Sequence, residues 1–187
     1  QEYYDAIIGW QERHNGVTGL LPEHIGYENG VLGGVVTALN VLCSRGDKVL
    51  VHKPTYVGFT GSLKNNGYDI VHSDLVKDEN GIWRMDFEDM ERKIVENKIH
   101  AAIFCSPHNP TGRVWERGEI EAVAALCVQY DVTVISDEIW SDIVLEGKHI
   151  PTQSVGGMRR RTVALYAPSK TFNLAGLVGS YHVIYHD

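Results

Sequence analysis

Three polar side chains follow closely on three short apolar runs. The run 101–105 (AAIFC) leads to Asn109, 132–136 (VTVIS) leads to Asp137, and 162–166 (TVALY) leads to Lys170. A primary amine that is partly desolvated attacks a carbonyl carbon to form an imine and afterwards serves as a base. A buried carboxylate favours a positive charge beside it, and an amide supplies a hydrogen-bond donor. A fourth feature is Asn29-Gly30-Val31-Leu32-Gly33-Gly34, which opens an apolar stretch of helical character. The N-terminus of a helix offers free N–H groups and a positive dipole end to an anion. Position alone leaves a plainer alternative of equal weight, because loops are polar in any case. A glycine pattern alone is a weak signal.

The elements that must carry these residues alternate between strand-like and helix-like segments, which predicts an α/β fold. Residues 2–14 have apolar groups at helical spacing, and 22–27 reads as a short extended segment. A helix is predicted from 31 to about 44, a turn at Gly46-Asp47, and a buried strand over 48–52. Pro54 stops that strand; a helix over 56–66 ends at Asn66-Gly67, and 69–73 is a short strand. A polar loop around 78–81 precedes a helix near 86–97, and an amphipathic helix spans about 116–130. With a last strand over 179–185, the expectation is seven strands. The segment 106–112 has two prolines and a glycine and cannot be regular structure. In open α/β sheets, ligands bind outside the C-terminal ends of the strands, where Asn109, Asp137 and Lys170 fall.

Composition narrows the classes of function. The 187 residues carry 17 Lys and Arg against 24 Asp and Glu, a formal net charge of -7. That balance excludes a general nucleic-acid surface, which needs a basic face. The one dense basic run, 159–161, reads as a solvated turn before a strand. No apolar run is long enough to span a bilayer, so no membrane role is expected. The three cysteines, Cys43, Cys105 and Cys127, form no C-x-x-C pair, and the nine histidines show no metal-ligand spacing. Neither a disulfide framework nor a metal site is expected, and a reducing cytoplasm fits best.

The motifs around the three polar residues resemble those of a known family. S-P-H-N-P-T-G at 106–112, S-D-E-I at 136–139 and S-K-T-F-N-L-A-G-L at 169–177 resemble, in order and spacing, class I/II aminotransferase-like enzymes that use pyridoxal 5'-phosphate (PLP). Asn109 and Asp137 are 28 positions apart, and Asp137 and Lys170 are 33 apart. The resemblance spans essentially the whole chain. It implies a three-layer α/β/α fold with a mostly parallel seven-stranded sheet, the large domain of the aspartate aminotransferase-like PLP-dependent transferases. It implies that Lys170 carries PLP as a Schiff base and that Asp137 sits beside the pyridine nitrogen. Asn109 is implied as donor to the phenolic oxygen and Tyr56 as the stacking aromatic. The N–H groups of Val31 and Leu32, with Gly30 allowing close approach, are implied to face the phosphate, and Ser169 to add a hydroxyl. Glu138 is expected to point away from the ring, because neighbours leaving a strand diverge.

Three departures refine the resemblance. Val178 stands where aminotransferases of this class often carry a phosphate-gripping arginine, Trp140 where they usually carry tyrosine, and Ala167 where they have serine. The indole of Trp140 can still donate a hydrogen bond. K-T-F-N-L-A-G-L without a following arginine, and S-P-H-N-P-T-G-R-V-W at 106–115, are similar to the cystathionine β-lyase branch of MalY/PatB type. That likeness implies β-elimination from cystathionine or cysteine-type amino acids, giving pyruvate, ammonia and a thiol. An aminotransferase and a non-catalytic PLP-fold regulatory domain are the alternatives. By the same resemblance, 1–187 corresponds to the PLP-binding large domain, without the family's N-terminal segment and C-terminal small domain. A homodimer is implied, as is an incomplete substrate site, because the carboxylate-binding arginine of the family lies in that further domain.

Overall fold

The computed structural model describes residues 1–185; residues 186 and 187, the last two of the expected domain span, lie outside the described residues. Helix α1 (Glu2–Asn15) is followed by strand β1 (Ile25–Asn29), helix α2 (Val31–Leu42), strand β2 (Lys48–Lys53) and helix α3 (Val57–Asn65). Strands β3 (Asp69–Lys77) and β4 (Trp83–Met85) lead to helix α4 (Phe87–Asn97). Strand β5 (Ala101–Cys105), helix α5 (Arg117–Gln129), strands β6 (Thr133–Asp137) and β7 (Thr162–Tyr166), the short helix α6 (Pro168–Thr171) and strand β8 (Gly179–Val183) complete the order.

All eight strands join one sheet in the order β1-β8-β7-β6-β5-β2-β3-β4. β2 pairs in parallel with β3 and β5, β5 with β6, and β6 with β7, while β8 runs antiparallel to both β7 and β1, and β4 antiparallel to β3. The chain moves outward from β2 to β3 and β4, then returns to the other side of β2 with β5. The order of winding therefore reverses between β2 and β5, which opens a crevice at the C-terminal ends of those strands.

The sheet is buried on both faces because successive residues of the central strands serve opposite cores. Val49, Val51, Ile103 and Ile135 pack with Val35, Leu39, Phe59 and Leu63 of α2 and α3. Leu50, Ala102, Phe104 and Val134 pack with Met90, Ile94, Ile120 and Val123 of α4 and α5. A third cluster seats Ile7 of α1 against Ile25, Ala164, Tyr181 and Val183. This is the three-layer α/β/α arrangement. No helix among the described residues is long and apolar enough to cross a membrane.

Three expectations about elements are corrected. The sheet has eight strands rather than seven, because Trp83–Met85 forms a three-residue strand against Leu75, Val76 and Lys77. That pairing also extends β3 beyond residue 73. Residues 22–24 are a 3-10 turn rather than extended chain: Pro22 fixes its first position, and the backbone N–H of Leu21 donates to Nδ1 of His24 at 3.1 Å. The last strand stops at Val183.

Candidate active site

Each predicted site residue arrives by a short path from an element end. β6 ends at Asp137, whose backbone carbonyl accepts the Ser106 N–H at 2.9 Å, so the exits of β5 and β6 are tied together. Asp137 is 5% exposed and its Oδ1 accepts the Ile139 N–H at 3.0 Å. Burial raises its acid from the ordinary 3.8 to about 6; the Ile139 hydrogen bond and the charge of Lys170 work against that, and neighbouring Glu138 adds to it.

The loop after β5 is held by its own contacts. The Cys105 thiol donates to the Pro107 carbonyl at 3.3 Å and its sulfur accepts the Asn109 N–H at 3.4 Å. The Trp115 indole N–H donates to the Cys105 carbonyl at 2.9 Å, and the His108 N–H to the Arg113 carbonyl at 2.8 Å. The peptide bonds before Pro107 and Pro110 are both cis, as is the one before Pro54. Two buried imidazoles, His52 and His108, lie under this region, and burial pushes each down to about 4.

α2 begins directly after Gly30, whose φ of 77° lies in the left-handed region that glycine adopts freely. As the N-cap it supplies no side-chain acceptor, so the first N–H groups of the helix keep their capacity for an anion. Tyr56 precedes α3, with its ring edge-on to Phe59 at 5.5 Å between centroids. Lys170 lies in α6, and its Nζ stands 5.5 Å from the centroid of the Trp140 ring. Thr171 beside it is fixed by a 2.8 Å hydrogen bond from its hydroxyl to Asp142.

These residues meet in one cavity of about 350 Å³. Gly30, Val31, Leu32, Tyr56, Asn109, Asp137, Trp140, Ser169 and Lys170 all line it, together with Cys105, Ile139 and Val178. The structure thus brings every predicted site residue to one place. It differs in the setting of Lys170, which is exposed rather than partly desolvated, because the residues that follow, 172–178, turn outward and are themselves exposed. A larger, shallower cleft shares Asn109 and Trp140 with the cavity and runs on toward Ile143 and Leu145.

Sequence reasoning turned Glu138 away from the ring but did not foresee its surroundings. Glu138 is fully buried and accepts from Ser136 Oγ at 2.9 Å, the Thr152 N–H at 3.0 Å and the Tyr166 hydroxyl at 2.7 Å. His149 Nε2 lies 2.6 Å from Oε2, the oxygen that also accepts the Tyr166 hydroxyl. Burial alone would raise its acid, yet His149 and the other donors hold it below the ordinary value. This network ties β6 to β7 and to the segment 149–152 behind Asp137.

The donor set suits an aromatic aldehyde phosphate. One wall offers a helix N-terminus for a phosphate, and the floor a buried acid with a single hydrogen bond. The rim offers an amide, an aromatic ring and an amine. A mixed, centrally parallel α/β sheet with such a cradle at its strand ends defines a cofactor-dependent class of enzyme folds.

Comparison with known proteins places the chain within that class. The family model "Aminotransferase class I and II" matches residues 2–184, and the chain belongs to this family. It is 38% identical over 186 residues to cystathionine beta-lyase PatB of Bacillus subtilis (strain 168), covering 98% of this chain and 48% of that protein. It is 32% identical over 184 residues to protein MalY of Escherichia coli (strain K12), covering 98% of this chain and 46% of the relative. The PLP-bound C-S lyase from Staphylococcus hominis superimposes with a TM-score of 0.93 at 33% identity, over 100% of this chain and 47% of that one. The chain spans about half the length of these relatives.

Proposed function

We propose that this chain is the PLP-binding large domain of a carbon–sulfur β-lyase that acts on cystathionine or cysteine-type amino acids. The observation that carries the reading is the convergence of Lys170, Asp137, Asn109, Tyr56 and the α2 N-terminus on one cavity. The likeness to PatB and MalY, and Val178 in place of an arginine, support the lyase branch. Lys170 would hold PLP covalently. The phosphate would lie against the N–H groups of Val31 and Leu32 and the Ser169 hydroxyl, with the ring over Tyr56. Bound PLP supplies an electron sink for the bonds at the substrate's α-carbon.

The chain's own residues supply the rest. The Lys170 amine would serve as the base for the substrate's α-proton, and its exposure leaves the side chain free to move. The Asp137 carboxylate would hold a proton on the pyridine nitrogen of bound PLP, and burial would strengthen that interaction. Asn109 and the Trp140 indole N–H would be the donors to the phenolic oxygen. The net reaction would break the Cβ–S bond, with the departing sulfur protonated to a thiol, and one water would hydrolyse the remaining enamine to pyruvate and ammonia. We infer a homodimer for the whole protein, checked by sedimentation. We also infer a reducing, cytoplasmic setting, consistent with three free cysteines.

The test is a full-length protein loaded with PLP. Borohydride should fix the yellow absorption band covalently on Lys170, as read by mass spectrometry of that peptide. Pyruvate release from cystathionine without any keto acid supports the lyase. Turnover only with a keto acid identifies an aminotransferase instead. A label on another lysine overturns the site.

A further inference from the structure

At the edge of the sheet opposite the cavity, three side chains of different chemistry converge. The Cys43 sulfur, a carboxylate oxygen of Asp47 and a ring nitrogen of His100 all lie within 4.8 Å of one another. His100 Nε2 is 3.5 Å from Asp47 Oδ2. Thiolate, carboxylate and imidazole are three ligand types of zinc, whose bond lengths place tetrahedral ligands roughly 3–4 Å apart.

The backbone beneath each group is fixed. Cys43 caps α2, its N–H donating to the Leu39 carbonyl at 2.8 Å. Asp47 closes a turn in which its Oδ2 accepts the Ser44 N–H at 2.7 Å and its own N–H donates to the Ser44 carbonyl at 3.0 Å. His100 leads into β5, and its carbonyl accepts the Thr133 N–H at 2.9 Å. The carboxylate is thus oriented by a backbone donor while keeping lone pairs for a ligand, the kind of support that metal ligands draw from their surroundings. One thiolate and one carboxylate offset a divalent charge, and three protein ligands leave a fourth position for water. Cys127 and Cys105 are buried, whereas Cys43 is only half-buried and within reach of solvent.

We propose that Cys43, Asp47 and His100 form a three-ligand site for a thiophilic divalent cation of the zinc type. The ion would fasten the C-terminal end of α2 to the start of β5. The other end of α2 presents its N–H groups to the cavity, so the clamp steadies the same helix from its far end. Nearby, the Tyr68 hydroxyl donates to Asn40 at 2.8 Å and the Asp69 N–H to the Asp47 carbonyl at 2.9 Å. This inference does not depend on the proposed lyase activity.

Cobalt(II) is the probe, added to the full-length protein with thiols reduced. Tetrahedral cobalt–thiolate coordination gives ligand-field bands in the red, where PLP does not absorb. The expected result is bands that saturate at one ion per chain, are displaced by zinc, and vanish in Cys43→Ser and in His100→Ala. His100 is exposed, so His100→Ala keeps the test decisive even if Cys43→Ser fails to fold; circular dichroism checks both variants. Absence of bands in the parent protein overturns the proposal, as do bands that survive either substitution in folded protein.

Discussion

Asp137→Asn separates what a buried carboxylate costs from what it does. The folded chain holds the Asp137 acid at about 6, against 3.8 for the free group, with burial the main cause. A carboxyl whose folded pKa lies above its unfolded value binds its proton more tightly in the folded state. Its contribution to stability is therefore best below pH 3.8, declines as pH rises from there to about 6, and stays diminished above. At about 1.4 kcal/mol per pH unit, that interval corresponds to about 3 kcal/mol lost in the cofactor-free protein. Asparagine nearly preserves the shape and has no proton to lose. Relative to the parent, Asp137→Asn should gain about 2 kcal/mol of stability between about pH 4.5 and about pH 7.5. Urea unfolding of PLP-stripped protein at the two pH values measures this directly. The same variant should bind PLP more weakly at the higher pH, because the carboxylate charge proposed to face the pyridine nitrogen is gone. If parent and variant show the same change in stability with pH, Asp137 is not the buried, proton-holding acid described above.

Glu138→Ala leaves His149, Tyr166 and Ser136 without their shared acceptor in the interior. Thermal or urea unfolding should show a loss of about 3–5 kcal/mol. Gly58→Ala would set a methyl 2.3 Å from Cε1 of Tyr56 and 2.9 Å from Leu32 Cδ1, so the ring must leave its place. PLP titration should show affinity lower by about five-fold, in line with a lost aromatic contact of about 1 kcal/mol. Stability should change by less than that, since alanine is also the better helix former. Val178 has φ 55°, a left-handed conformation that costs a side-chain-bearing residue about 1–2 kcal/mol. Val178→Gly should raise stability by about 0.5–1 kcal/mol after the added freedom of the unfolded chain, as read by urea unfolding.

Asn109, Asp137 and Lys170 are legible in the sequence because β5, β6 and β7 are short, uninterrupted apolar runs. A run of that kind locates a strand, and the polar residue just beyond it must emerge at the C-terminal edge. The same logic fails for β4, since three residues are too few to show alternation and its existence depends on pairing with Leu75, Val76 and Lys77. Glu138 illustrates a second limit. Its partners Ser136, His149, Thr152 and Tyr166 come from separate elements, and only the fold brings them to one carboxylate. The cluster of Cys43, Asp47 and His100 is equally silent in sequence, because 53 positions separate its second and third members and no motif links them. The exposure of Lys170 depends on how 172–178 turns, and that segment has no periodicity to read.

Cys105 is the one sulfur among the residues that line the cavity. A free thiolate there would be a liability beside an aldehyde cofactor, since it adds to carbonyl carbons, and beside the proposed β-elimination, since it exchanges with the disulfides of released thiols. Burial and the nearby Asp137 push its acid far above that of an ordinary thiol, and both its hydrogen and a lone pair are already committed to Pro107 and Asn109. The sulfur is thereby kept chemically quiet, and its remaining task is mechanical: it pins the loop that presents Asn109.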